Sequence, residues 1–379
     1  MMAKLGDIAT YINGYAFKPQ DWSDEGIPII RIQDLTGNSY QANRYNGEYA
    51  SKYEVNDGDV LISWSASLGV YIWHGEKAVL NQHIFKVVFD KERISKDFFV
   101  HQVGLILENA ASDAHGATMK HLTKPVFDAL PFYLPPYEKQ CEIAEVLDKV
   151  TSLISLRKQQ LAKLDELVKA RFVEMFGDVL LNSMQWPEKT LENMADIVSG
   201  ITKGRKTAEA DLQEVPYMAV SNVKDGYIDW TTVKTILATR QEIEQYRLMP
   251  DDILMTEGGD PDKVGRGAII KVPLKNSIHQ NHIFRVRLDE QEILPSFFAE
   301  YLRHQKAKRY FLGCAKQTTG IASINMRQLR ALPTLVPPLS LQKQFAAFVE
   351  RVDQQKQTVQ QSLEKLELMK NALMQEYFG

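Results

Sequence analysis

The stretch Asn81–Val87 reads NQHIFKV, and some two hundred residues further on Gln280–Val286 reads QNHIFRV. One segment written twice in one chain is the signature of an internal repeat, and a repeat decides the fold before any single element does. The match extends outward from the two histidines, His83 and His282. LGDIATYINGYAF, with Asp7-Ile8, pairs with MADIVSGITKGRK, with Asp196-Ile197. Ile27-Pro28 pairs with Val215-Pro216, and NDGDVLIS (Asn56–Ser63) pairs with MPDDILMT (Met249–Thr256). The spacing drifts between these anchors and settles from Gly116 onward at a constant 202 residues. There LPFYLPPYEKQCEIAEVL (Leu130–Leu147) overlays LPTLVPPLSLQKQFAAFV (Leu332–Val349), and RFVEMFG (Arg171–Gly177) overlays LMQEYFG (Leu373–Gly379). The chain is two copies of one unit, each a globular part followed by a tail.

The tails read as long helices. From Glu138 to Phe176 there is neither proline nor glycine. Ile143, Leu147, Val150, Ile154, Leu161, Leu164, Val168 and Met175 follow the alternating four-three spacing of a coiled-coil seam. Phe345, Val349, Val352, Val359, Leu363, Leu366, Leu373 and Tyr377 hold the same register in the second copy. Cations interrupt each seam where the other copy is apolar: Arg157 and Arg171 against Val359 and Leu373, Lys356 and Lys370 against Ile154 and Val168. Long cationic stems can lie along apolar surface and reach water. The pattern favours pairing of the two tails with one another over self-pairing. About forty residues at about 1.5 Å each give a rod of roughly 60 Å.

The globular parts read as α+β. Short β-branched and aromatic runs such as IPIIRI, DVLIS, GVYIW and HIFKVVF alternate with turn residues. Helices are expected at Lys96–Glu108 and Pro295–Phe311, with short capped helices after Thr123 and Asn325. The expected organisation is a globular domain at 1–135, a helix at 136–177, a second domain at 178–337 and a second helix at 338–379.

Composition bounds the rest. The chain has 379 residues, 44% hydrophobic and 25% charged, with a net charge of −3. That is ordinary for a soluble globular protein and makes any nucleic-acid surface a local one. No apolar run is long enough for a membrane span, and no signal peptide is evident. Cys141 and Cys314 lie far apart, which argues for the cytoplasm and against a disulfide framework or thiolate zinc site.

The motifs of catalysis are incomplete. A GxxxxGK[ST] phosphate loop is missing. Pro261-Asp262-Lys263 has the opening of a nuclease site without the acidic-x-Lys that would complete it. His279 and His282 form an HxxH without further ligands nearby, so a packed, hydrogen-bonded imidazole is the expectation there and at His83, and no metal is expected. Leu134-Pro135-Pro136-Tyr137 has the outline of the [Asn/Asp]-Pro-Pro-Tyr motif of adenine methyltransferases. Leucine, however, offers no acceptor to a base amino group, and Val336 stands there in the second copy. The chain is therefore expected to be no enzyme by itself and to hold no cofactor.

Two divergent globular halves, each closing with LPxxxPP, a glutamine (Gln140 or Gln342) and a long helix, resemble the specificity subunit of type I restriction-modification systems. GATMKHLTKPVFDALPFYLPP (Gly116–Pro136) and TEGGDPDKVGRGAI (Thr256–Ile269) carry the resemblance, which covers essentially the whole chain. It implies two target-recognition domains, separated by two long antiparallel coiled-coil helices about a pseudo-two-fold, each reading one half of a bipartite double-stranded DNA sequence. The helices would serve as spacer and as docking site for two methyltransferase subunits, on which S-adenosylmethionine is expected. Whether restriction subunits join is left open, as is a nuclease-fused methyltransferase as partner.

On that reading, basic residues in Thr202–Lys206 and Arg303–Tyr310, with Lys263, Arg266 and Lys316, would hold phosphates, while forked or amide side chains read bases. The first half offers Arg31, Gln33, Ser63, Ser65 and Lys120. The second offers Lys203, Arg205, Lys206, Asn222, Glu257, Lys263, Arg266, Lys316 and Gln317, Arg266 being flanked by two glycines that would let the backbone approach a groove wall. Trp64 and Trp73 read as core residues. A duplicated scaffold or adaptor without nucleic acid is the competing class.

Overall fold

A computed structural model describes residues 1–38, 43–113, 123–205, 211–318 and 320–379. The chain divides into two compact units: unit 1 comprises 1–158 and 361–379, and unit 2 comprises 159–360. This grouping differs from the expected four segments because each long helix gives its two ends to different units. The helices themselves run Tyr137–Phe176 and Leu339–Phe378, 40 residues each. Among the described residues no helix is long and apolar enough to cross a membrane.

In unit 1 a four-stranded antiparallel sheet has the order Thr10–Asn13, Ile84–Val88, Val60–Ser63, Gly69–Ile72. In unit 2 the order Ala195–Ser199, Ile283–Leu288, Ile253–Thr256, Gly267–Ile269 repeats it strand for strand. The repeated HIF segment supplies an inner strand of both sheets. Alternate residues point to opposite faces of a strand. Val60, Ile62, Phe85 and Val87 accordingly enter one core of unit 1, while Leu61 and Ile84 enter another. Both faces are covered, so the strand Val60–Ser63 needs no polar alternation and is buried throughout. Unit 2 does the same, with Ile253, Met255, Phe284 and Val286 on one side and Leu254 and Ile283 on the other. A second, partly parallel sheet also recurs: Ile27–Ile30 runs parallel to Ala78–Leu80, and Gln213–Met218 runs parallel to Ile278–His279.

The helix expected at Lys96–Glu108 spans Lys96–Asp113 and buries Phe98, Phe99, Val103 and Leu107. The single helix expected over Pro295–Phe311 is two, Pro295–Arg303 and Gln305–Cys314, broken at His304 in extended conformation (φ −89°, ψ 163°). The His304 ring stacks on Phe172 of the first long helix with centroids 4.5 Å apart, and this packing overrides local helix preference. The short helices follow Thr123 and Asn325, but only Asn325 caps with its side chain, accepting from the Gln328 N–H at 2.9 Å.

Each half closes identically. The strand Pro131–Tyr133 pairs antiparallel with Met2–Lys4, and Pro333–Leu335 with Glu188–Thr190. The buried Gln140 then accepts from the Ser95 N–H at 2.9 Å and donates to the Pro135 carbonyl at 2.9 Å. Gln342 accepts from Leu294 N–H and donates to the Pro337 carbonyl, both at 2.8 Å. One amide thus ties the start of a globular helix to the proline-rich exit.

Within unit 2 the residues Leu164, Val168, Phe172 and Phe176 share a core with Phe345, Val352 and Val359, and Lys356 pairs with Asp165 at 2.5 Å. Within unit 1 Ile143, Ala144 and Leu147 share a core with Met374, Arg157 donates to Ser362 Oγ at 3.2 Å, and Lys158 pairs with Glu367 at 3.0 Å. In both units the two helix segments run in opposite chain directions. Two of the seam cations, Arg157 and Lys356, find polar partners on the facing helix segment, and Phe172 and Phe176 join an apolar row that the four-three reading left them out of.

Candidate nucleic-acid interface

The repeated histidines sit at one end of the central sheet of each unit, and a glycine fixes the backbone beside them. A Cβ on Gly14 would lie 2.2 Å from the Asn81 carbonyl oxygen, and one on Gly200 would lie 2.0 Å from that of His279. Only glycine admits this approach. It lets Tyr15 N–H reach the Leu80 carbonyl at 2.8 Å and Ile201 N–H reach the His279 carbonyl at 2.9 Å. On the neighbouring strand Trp64 N–H faces the His83 carbonyl at 3.4 Å, and Glu257 N–H donates to the His282 carbonyl at 3.0 Å. The frame is one frame, used twice.

In unit 1 the frame borders a cavity of about 270 Å3 lined by Phe17, Trp22, Arg31, Ile32, Gln33, Asn81, Gln82 and His83. Arg31 and Gln33, expected from sequence, meet there. The Arg31 guanidinium lies 5.2 Å from the Trp22 ring centroid, while the Asp34 carboxylate is bonded to the Arg31 backbone N–H. Gln82 Nε2 is 3.2 Å from His83 Nε2. Trp64 stacks on Phe85 and donates to Asn13 Oδ1 at 3.1 Å, and Trp73 packs on a second core. Ser63 and Ser65 are a correction. Both are buried, and the Ser63 hydroxyl donates to the Ser67 carbonyl in a tight turn, so neither presents a hydroxyl to a ligand.

In unit 2 Glu257 Oε2 lies 2.6 Å from His282 Nδ1, both side chains partly exposed. The neighbouring hairpin Lys316–Thr318 and Ile321–Ser323 pairs with Gly258-Gly259, which brings exposed Lys316 to the same region. Lys203 is exposed in a turn next to Gly204. Lys263 pairs with Asp260 and stays half exposed. It joins Arg266, Lys308 and Asp225 around a cavity of about 210 Å3, where Arg266 Nε is enclosed without a hydrogen-bond partner. The glycines flanking Arg266 serve internal packing rather than approach to a groove. A Cβ on Gly265, at φ +68°, would collide with the Phe311 ring, and one on Gly267 would meet Met255.

Two further residues are corrected. Arg205 is forked onto Glu242 at 2.5 and 2.6 Å, which holds the Glu242 carboxyl down at about 2 and commits the guanidinium to fixing its loop. Asn222 is fully buried and has both amide ends engaged, with Ala219 N–H and the Asp229 carbonyl. Much of the basic run at Arg303–Tyr310 is likewise paired internally: Arg303 with Glu300, Lys306 with Glu188, Lys308 with Asp225. Lys120, Lys206 and the Gln317 side chain lie outside the described residues.

His279 is a core histidine. It is fully buried, with Nδ1 and Nε2 each 3.3 Å from a carbonyl, those of Tyr246 and Val198. Burial holds its imidazole down at about 4, so it is neutral at pH 7. Trp22 and Gln82 were missed in the sequence. Gln82 could have been found as the polar neighbour of the repeated histidine, whereas Trp22 had no local signal.

The family of the type I restriction modification DNA specificity domain matches residues 1–166 and 184–368. The chain belongs to that family and carries its domain twice, once per half. It is similar to the type I restriction enzyme EcoBI specificity subunit of Escherichia coli, 24% identical over 92% of this chain and 78% of that one. Similarity to the EcoKI specificity subunit of Escherichia coli strain K12 is 21%, over 93% and 81%. The fold matches the crystal structure of a type I restriction-modification S subunit from M. genitalium, with a TM-score of 0.55 at 16% identity, covering 100% of this chain and 96% of that one.

Proposed function

We propose that the chain reads a bipartite double-stranded DNA sequence for a type I restriction-modification complex, one half-site per specificity domain. The observation that carries this reading is one backbone frame whose repeated histidine, His83 or His282, has different neighbours in its two copies: Trp64 and Gln82 in the first, Glu257 and Asn281 in the second. Two copies built for one task on one ligand would repeat the side chains along with the frame. Copies reading different half-sites keep the frame and vary the groups aimed at base edges.

The paired helices then act as spacer between readers and as docking site for two methyltransferase subunits, which hold the S-adenosylmethionine. This chain brings no catalytic group of its own. Its contribution is to select the duplex and fix the register in which the partner acts.

The test is exchange. Residues from about Leu191 to Leu332 are replaced with the matching segment of another family member, and methylated sites are mapped by sequencing the modified genome. One half of the recognised sequence changes and the other stays. A change in both halves together, or in neither, overturns the assignment of one half-site to each domain.

A further inference from the structure

We propose that the cavity between Trp22, Arg31, Gln33, Gln82 and His83 is a specificity pocket that takes the major-groove edge of a purine, with its N7 acceptor toward Arg31. The inference rests on the reading of the first half as a DNA reader and deepens it to one chemical group of one base.

The cavity is lined by one cation, three amides and an imidazole, with aromatic rings beside them and no carboxylate. Its polar groups can donate to an acceptor-rich edge, and nothing anionic repels it. Arg31 differs from Arg205 and Arg303 in unit 2, which are held by Glu242 and Glu300. Its guanidinium rests over the Trp22 ring instead, which orients the fork while leaving its N–H groups to an incoming ligand. Arginine forks onto guanine O6 and N7, and glutamine onto adenine N6 and N7. N7 is the acceptor common to both, and amides flanking the cation favour a base edge over a phosphate.

His83 is the positioning residue. Its Nε2 lies 3.2 Å from the Gln82 amide nitrogen, and its Nδ1 is enclosed with no hydrogen-bond partner among the described residues. That arrangement leaves Gln82 with its carbonyl oxygen and a second N–H for the base. In unit 2 the corresponding imidazole faces Glu257, and a carboxylate there suits a base amino group instead. The two halves thus set groups of opposite polarity beside the repeated histidine.

The experiment uses the full chain bound to its methyltransferase partner and the bipartite duplex found by genome mapping. Each guanine or adenine of the half-site assigned to the first domain is replaced singly by its 7-deaza analogue, which removes only N7. Wild type loses roughly tenfold or more in affinity at one position. Arg31→Ala binds the intact and 7-deaza duplexes alike at that position and keeps its discrimination elsewhere. Arg31→Leu, which keeps apolar bulk over the Trp22 ring without any donor, behaves as Arg31→Ala in discrimination and covers the case in which the alanine variant fails to fold.

Three outcomes overturn the pocket. The first is that no position is sensitive to N7. The second is sensitivity that persists in both Arg31 variants. The third is uniform weakening with a flatter salt dependence, which marks a phosphate contact. A complex that binds no bipartite duplex at all fails earlier, at the reading of the chain as a DNA reader.

Discussion

Leu80 and His279 hold the same place in the two halves. Both are fully buried, and the carbonyl of each accepts from the N–H that follows a close-packed glycine. One is hydrocarbon and the other an imidazole. In the central sheet, Ser63 leads into Trp64 in one half and Thr256 into Glu257 in the other. The ladder cation changes too. Lys86 pairs with Asp59 in unit 1; in unit 2 Arg285 pairs with Asp196, and Arg287 forks onto Asp252. What is held fixed is backbone hydrogen bonding, the two glycines and the repeated histidine, and what varies includes a fully buried position as well as exposed ones. A fold kept by its main chain can change its reading face without changing its shape.

The sharpest way to separate the halves is acid. An unfolded histidine titrates near 6.5, whereas burial holds His279 at about 4. As pH falls from 6.5 toward 4, the unfolded chain takes a proton that the folded one refuses, and stability is lost across that window, up to about 3 kcal/mol. His279→Leu installs the residue of the first half and should remove this loss. Urea unfolding at pH 7, 6 and 5, followed by exchange of unit 2 amides, measures it; an unchanged pH slope in the variant contradicts the assignment.

Where the halves agree, they should fail alike. Gln140→Ala and Gln342→Ala each strand a partly buried N–H, that of Ser95 or of Leu294, and each should cost about 1–3 kcal/mol. Chemical denaturation of both variants checks this. A large cost in one and none in the other would show that the shared closure is not shared in energy.

The smallest effect comes from helix caps. Asn325→Ala removes a side-chain cap and should cost about 1 kcal/mol, while Thr123→Ala, with no cap bond to lose, should cost no more than about a few tenths. Equal costs in thermal melts would erase the distinction.

The repeat, the α+β character and the two long helices were legible because each rests on a local pattern: identity at fixed spacing, alternation, or a seven-residue rhythm. The break at His304 was not legible, since it depends on Phe172, far away in sequence. Of the candidate site, what the sequence offered as polar and unneeded by the frame does lie near the repeated histidines, Arg31 and Gln33 on a cavity with His83 and Glu257 against His282. It failed at Ser63, Asn222 and Arg205, whose chemistry suits DNA but whose hydrogen bonds are spent on neighbouring backbone or, for Arg205, on Glu242. Sequence shows which groups a residue carries and is silent on whether those groups are already engaged.

Unit 1 draws its last piece from residues 361–379, so Phe98 meets Phe378 with ring centroids 5.4 Å apart. During synthesis this part of the core stays open until residues 361–379 have left the ribosome, whereas unit 2 is one uninterrupted stretch that precedes them. The half that is made first is finished last. Until then Ile143 and Leu147 lack the cover Met374 gives them, and a released chain truncated after residue 360 would hold all of unit 2 and an unfinished unit 1, a natural client for a chaperone.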